Sequence, residues 1–84
     1  MIYFEVTPEH RNEAYERYLA FGNNSLETVK VIDTYVSTTL LEGWVLVEAK
    51  DSLELAKNCK TWTDINVNHV TPVMEGAKVR EVFV

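Results

Sequence analysis

The sequence is poor in the residues that build metal, disulfide and phosphate sites. Its single cysteine, Cys59, excludes an internal disulfide and a zinc site made of several thiolates. The only two histidines, His10 and His69, lie far apart in the chain and lack a second ligand at helical spacing. The 3 glycines are scattered, so no glycine-rich loop can hold a phosphate. We therefore expect neither a metal ion nor a cofactor.

Positive charge and long hydrophobic runs are also scarce. The chain has 8 Lys and Arg against 13 Asp and Glu, a net charge of −5, which argues against a general nucleic-acid binder. No apolar run approaches the roughly 20 residues that span a bilayer. No basic and then apolar N-terminal segment marks a secretory signal. These absences predict a cytoplasmic protein that contacts neither nucleic acid nor a membrane.

What is present indicates one α+β domain over residues 1–84. Runs of β-branched and aromatic residues predict strands, and helix-start signals, including Asp51 as an N-cap, predict two helices. The predicted strands cover residues 1–6, 28–36, 43–49 and 67–73, and the predicted helices cover residues 7–21 and 51–62. This order, β-α-β-β-α-β, is the ferredoxin-like motif, an antiparallel sheet with both helices on one face. Residues 78–84 have strand propensity and predict an extra strand or a packed tail.

The predicted third strand distinguishes the two faces of the sheet. Val45 and Val47 alternate with Trp44 and Leu46, and Tyr3 of the first strand shares the face of Trp44. The face away from the helices is then too apolar for water. A second copy of the sheet is its simplest cover, which predicts a homodimer with two sheets packed face to face. A domain of 84 residues without a disulfide also gains stability from oligomerisation.

Four short segments resemble a known family. They are Gly43-Trp44-Val45-Leu46-Val47-Glu48, the acidic helix start at Asp51, Trp62-Thr63-Asp64 and Val70-Thr71-Pro72-Val73. Together they resemble an uncharacterised domain-of-unknown-function family of the dimeric α/β-barrel superfamily, over most of the chain. The family often has an aromatic-His pair near the end of its second strand; here Tyr35 is aromatic and Val36 replaces the His.

The resemblance implies a ferredoxin-like fold and a dimeric α/β barrel. The superfamily includes cofactor-free monooxygenases, haem-degrading enzymes, muconolactone-isomerase-like enzymes and stress-responsive proteins. A shared fold does not choose among these activities. The function therefore has to be argued from the side chains of this chain.

Three side chains are candidate general acids or bases: Glu5, Glu48 and His69. In a ferredoxin-like sheet we expect the first and third strands to be adjacent and parallel, so that Glu5 and Glu48 can meet in the cavity between sheets, on the face away from the helices. Two carboxylates in a partly apolar pocket are suited to acid–base catalysis. Alternatively, both lie at the solvent-exposed rim or pair with a cation such as Lys30. His69 faces either the cavity between sheets, near Glu5, or the helices as a structural residue.

Aromatic residues provide the candidate ligand site. Tyr3, Tyr35 and Trp44 can wall a cavity for a flat ligand, and the same rings can also pack two copies together. The sequence therefore predicts a small homodimer that binds an apolar or aromatic small molecule between its sheets, or has a structural or interaction role. The alternative is a cofactor-free enzyme, a monooxygenase or isomerase, acting on a small hydrophobic substrate with a carboxylate or His69 as base.

Overall fold

A computed structural model describes residues 1–21 and 27–83. The elements in chain order are β1 (Ile2–Val6), α1 (Arg11–Phe21), β2 (Val29–Val36), β3 (Glu42–Ala49), α2 (Ser52–Lys60), β4 (Asn66–Val70), a 3-10 helix (Gly76–Lys78) and α3 (Val79–Val82). The strands form one antiparallel sheet in the order β2-β3-β1-β4. The predicted α+β class and antiparallel sheet are thus confirmed. No helix in the described ranges is long and apolar enough to cross a membrane.

The N-terminus of α2 is fixed by the predicted cap. The Asp51 carboxylate accepts a hydrogen bond of 2.9 Å from the backbone N–H of Glu54, which satisfies one of the free donors of the first turn. The Glu54 carboxylate accepts hydrogen bonds from the Thr28 hydroxyl at 2.9 Å and the Lys57 ammonium at 3.2 Å. Its contact with Thr28 joins α2 to the start of β2.

Both long helices lie against one face of the sheet. Ala14 and Tyr15 of α1 and Asn58 of α2 share a cavity wall with Val45 of β3. The buried apolar core among the described residues is small: Ile2, Val6, Ala14, Val29 and Ile65. Leu19, an apolar residue of α1, is 82% exposed. With 3.6 residues per turn, a helix that turns Ala14 and Tyr15 towards the sheet directs Leu19 past its edge.

Arg17 connects α1 to the loop between α2 and β4. Its guanidinium donates two hydrogen bonds to the Asp64 carboxylate, at 2.9 and 2.8 Å, and one to the Thr61 carbonyl at 3.0 Å. It also lies 5.5 Å from the centre of the Trp62 ring. Hydrogen bonds from Arg17 lower the pKa of Asp64 below its usual value. This bidentate pairing of Arg17 with Asp64 fixes the loop that places β4 beside β1.

The C-terminal segment differs from the prediction. The predicted fourth strand extends to residue 73, but β4 ends at Val70, which pairs with Ile2 at the start of β1. The expectation of a strand over residues 78–84 is wrong for its described part, which is helical from residue 76 to residue 82; Val84 lies outside the described residues. In these turns the backbone hydrogen bonds are local: the Lys78 N–H donates to the Glu75 carbonyl and the Phe83 N–H to the Arg80 carbonyl. Residues 71–83, which we call the C-terminal arm, are all exposed.

Candidate functional site

The face of the sheet turned away from α1 and α2 carries most of the predicted site residues. We call it the open face, and by the strand register it holds Tyr3, Glu5, Lys30, Asp33, Tyr35, Glu42, Trp44, Leu46, Glu48, Val67 and His69. Because side chains alternate along a strand, this set is separate from the residues beneath the helices. The predicted division of β3 into two faces therefore holds.

Four rings form one row across all four strands of the open face, and we call them the aromatic row. The strand register places Tyr35 opposite Trp44, Trp44 opposite Tyr3, and Tyr3 opposite His69. The centre of the Tyr3 ring lies 5.5 Å from that of Trp44 and 5.7 Å from that of His69. These separations are typical of favourable ring packing. With strands about 4.8 Å apart, the row is about 15 Å long.

A bulge in β2 decides which of its side chains reach the open face. Val31 and Asp33 pair with consecutive residues of β3, so Ile32 between them is an extra residue. The extra residue exchanges the two faces of the sheet for the later residues of β2. Tyr35 therefore lies on the same face as Trp44 rather than beneath the helices with Val31.

Carboxylates border the aromatic row and accept hydrogen bonds from its phenols. The Tyr3 hydroxyl lies 2.6 Å from a Glu42 carboxylate oxygen and 3.0 Å from one of Glu5. The Tyr35 hydroxyl donates to Asp33 at 2.6 Å. The hydrogen bonds to Glu42 and to Asp33 raise the pKa of Tyr3 and of Tyr35, respectively. Both phenols therefore stay protonated at neutral pH and act as donors, which leaves the negative charge on the carboxylates.

His69 lies on the open face, beside Glu5. The distance between His69 Nε2 and a Glu5 carboxylate oxygen is 3.9 Å, and the side chains are 57% and 54% exposed. Of the two orientations that the sequence left open, the structure has the one in which His69 faces away from the helices. A histidine within reach of a carboxylate is an arrangement that can accept a proton from a ligand and pass it to water.

Glu48 lies far from Glu5, so the expectation that the two carboxylates meet is wrong. The chain reverses between β2 and β3, which makes β1 and β3 antiparallel. Glu5 therefore lies opposite Glu42, and Glu48 lies opposite Lys30 at the other end of β3. Six steps of extended strand separate Glu42 from Glu48, about 20 Å. This register places Glu48 beside Lys30, as in the alternative interpretation that Glu48 pairs with a cation.

The sequence missed two acidic residues of the open face. The predicted third strand begins at residue 43, although Glu42 shares the strand alternation of Trp44, and that periodicity is a usable signal. Asp33 reaches the open face only because of the bulge at Ile32. No simple alternation rule reveals a bulge, because one extra residue exchanges the two faces.

The other reactive groups lie away from the open face. Cys59 is half-buried in α2, and burial raises the pKa of its thiol, which disfavours a reactive thiolate. In the part of the chain that the structure describes, no three His, Cys, Asp or Glu side chains are placed to hold a metal ion. The aromatic row and its carboxylates are therefore the candidate functional site.

Comparison with known proteins gives one match. A family model described as "Domain of unknown function (DUF3303)" matches residues 1–84. No curated protein and no solved structure matches the chain. The matched range includes every element of the sheet and the whole of the aromatic row.

Proposed function

The chain belongs to the DUF3303 family, a domain of unknown function, and from its open face we propose that it is a homodimeric protein that binds a small aromatic ligand. The observation that carries this proposal is the aromatic row. An exposed row of rings, one per strand, offers a flat stacking surface that a lone folded chain does not need for its own core. The single cysteine and acidic composition support a cytoplasmic location.

Two copies are proposed to pack open face to open face, as ferredoxin-like sandwiches that form a dimeric α/β barrel. A four-stranded sheet of this length offers roughly 500 Å² of plane, whereas a stable interface hides about 800 Å² on each partner. The C-terminal arm supplies additional apolar surface. Its exposed large apolar side chains are Val73, Met74, Val79, Val82 and Phe83. We propose that the arm packs on the partner.

The charges of the open face select the ligand. Two copies packed face to face bring Glu5, Glu42 and Asp33 towards their counterparts, and like charges repel in a desolvated space. A ligand with a protonated amine between the sheets neutralises this repulsion. Its ring stacks on the aromatic row, and its cation is attracted to the face of Trp44. The proposed ligand class is therefore a flat aromatic amine.

Light scattering and a ligand titration test this function together. We expect a mass of about twice 9.7 kDa at micromolar concentration. The shift of the Trp44 indole N–H resonance reports binding. We expect 2-phenylethylamine to bind at least about tenfold more tightly than 3-phenylpropionate, which carries the opposite charge. A monomer at all concentrations would refute the dimer, and equal affinity for both probes would refute the charge argument.

A matched pair of variants locates the site. Trp44→Ala should weaken amine binding about tenfold, since one stacked ring contributes on the order of 1 kcal/mol or more. Leu53→Ala removes an exposed apolar side chain from α2, on the other side of the sheet, and should leave both mass and binding unchanged. Equal loss in the two variants would place the ligand elsewhere.

The His69–Glu5 pair favours a second candidate function, a cofactor-free enzyme on a small hydrophobic substrate. His69 would accept the proton at Nδ1, and Glu5, 3.9 Å from Nε2, would stabilise the imidazolium. The pair lies at the β4 end of the aromatic row, where a flat substrate can stack on Tyr3. Glu48, about 20 Å from this pair, is not part of the proposed base.

A probe of general-base catalysis tests the enzyme. 5-Nitrobenzisoxazole is a flat aromatic whose ring opens when a base removes its C–H proton. We expect His69→Gln to lower the rate of opening at least about tenfold, within the range that a positioned base contributes. His10→Gln is the matched control, because His10 lies before α1 and contacts Glu13 rather than the open face. Equal rates for the two variants would show that His69 is not the base.

A further inference from the structure

An apolar groove lies between α2 and the end of the sheet where β3 and β4 end and β1 begins. Its volume is about 340 Å³, about twice the roughly 150 Å³ that holds a benzene molecule. Asp51 is the only charged side chain among the described residues that line it. The apolar part of the lining includes Val47 and Ala49 of β3, Leu55 of α2, and Pro72 and Val73 of the C-terminal arm.

The C-terminal arm carries an apolar face that its own chain leaves uncovered. Val79, Val82 and Phe83 lie at positions i, i+3 and i+4 of its helical end, so their side chains share one side. Val82 and Phe83 are 66% and 83% exposed. The two basic and two acidic residues within residues 71–83 leave the arm without net charge, so it can approach a chain whose net charge is −5 without repulsion.

We propose that the arm of each copy docks in the groove of a second copy, with the Phe83 ring inserted between α2 and the end of β3. This inference rests on the proposed homodimer and names the contact that completes it. The open faces supply roughly 500 Å² of the about 800 Å² that each partner of a stable interface hides. One aromatic side chain hides about 150 Å² or more, and each copy inserts one arm and receives the other. The exchange therefore adds about 300 Å² per copy, which closes the difference.

The arm is long enough for this exchange. Its root is fixed at the groove end of the sheet, because the Thr71 N–H donates to the Met1 carbonyl and the Met1 ammonium donates to the Thr71 carbonyl, both at 2.9 Å. Residues 71–75 can span up to about 17 Å and residues 76–83 about 12 Å more, whereas two packed sheets lie about 10 Å apart. A two-fold axis along the strands brings both grooves to the same end of the dimer, so the two contacts are identical.

A dilution series followed by light scattering tests the contribution of the arm. Phe83→Ala should raise the dissociation constant of the dimer at least about a hundredfold, because two buried rings are lost per dimer. Phe83 is exposed in the single chain, so the variant should remain folded. Leu19→Ala is the matched control, since Leu19 is equally exposed, at 82%, and lies on α1 outside the groove. It should leave the dissociation constant unchanged.

The same series separates this inference from the proposed function. Equal dissociation constants for the wild type and Phe83→Ala would overturn the docking of the arm and leave the homodimer standing. A wild-type chain that is a monomer at all concentrations would overturn both. An equal loss in Phe83→Ala and Leu19→Ala would show that the arm has no special part in the interface.

A disulfide between two different variants shows which groove the arm occupies. Both variants carry Cys59→Ala, which removes the only native thiol. One adds Ser52→Cys in the groove and the other adds Arg80→Cys on the arm, and neither change removes an apolar side chain. After mixing and mild oxidation we expect a disulfide between the two chains, identified by mass spectrometry. Lys60→Cys in place of Ser52→Cys is the matched control, because it lies at the other end of α2, about 12 Å away, and should form none.

A single chain that carries both Ser52→Cys and Arg80→Cys distinguishes the other occupants of the groove. A disulfide that closes within this chain, with none between the mixed variants, would show that the arm fills its own groove, and the exchange would be wrong. No disulfide in either experiment would leave the groove to a different ligand and would also overturn the proposal. Equal crosslinking of Lys60→Cys and Ser52→Cys would show that the contact is random and that the groove is not the docking site.

Discussion

Val45→Asp is expected to leave the chain unfolded, whereas Leu46→Asp is expected to leave it folded but monomeric. The two residues are neighbours on β3 and face opposite sides of the sheet. Val45 lines the uncharged cavity beneath the helices, where a carboxylate costs several kcal/mol because nothing there pairs with it. That cost is comparable with the whole stability of a small domain, about 5 kcal/mol. Leu46 lies on the open face, where water can solvate the new charge until a second copy packs against it.

Circular dichroism, thermal unfolding and light scattering distinguish the two outcomes. Val45→Asp should lack a cooperative transition, and Leu46→Asp should keep one with a slightly lower Tm. Asp33 lies opposite position 46, and like charges on facing strands cost less than about 1 kcal/mol. Leu46→Asn removes that repulsion and serves as its control. If both aspartate variants retain the same folded fraction, our assignment of the strand faces is wrong.

The fold could be predicted mainly where a periodic pattern is long. β3 alternates over Trp44, Val45, Leu46 and Val47, and this alternation correctly divided the two faces. The relative direction of β1 and β3 is not contained in either segment, since it depends on how the intervening elements connect. The prediction that Glu5 and Glu48 form one site was wrong because it assumed that β1 and β3 run parallel.

The candidate site was predicted in part for the same reason. Tyr3 and Trp44 were found by parity, and the structure brings them to 5.5 Å of each other. The sequence did not decide on which face of the sheet His69 lies. β4 is short and both of its alternating sets contain polar residues, so no hydrophobic pattern sets its register. The prediction for the tail was wrong because strand propensity describes a preference for a paired environment, and residues 76–82 pair with neither edge strand, β2 or β4.

Gly43→Ala is expected to destabilise the protein by about 1–3 kcal/mol through overpacking. Gly43 is buried in β3 opposite Phe4 of β1. A Cβ at this position would lie 2.5 Å from Phe4 Cζ and 2.8 Å from the backbone carbonyl oxygen of Tyr35. The phenylalanine ring can rotate away, but the carbonyl belongs to β2, whose backbone is held by its ladder with β3. The chain therefore needs a glycine at this close approach, whereas most strand positions favour larger residues.

Urea unfolding of Gly43→Ala and Gly76→Ala measures this cost against a matched control. A Cβ on Gly76 has no neighbour within 4 Å, so Gly76→Ala should be neutral or stabilise the fold by up to about 1 kcal/mol, because alanine restricts the unfolded chain. In Gly43→Ala the displaced Phe4 ring moves into the cavity beneath the helices, which it lines. Equal stability of the two variants would show that β1 and β2 accommodate a side chain at position 43, and the close packing of Phe4 on Gly43 would then not be required for the fold.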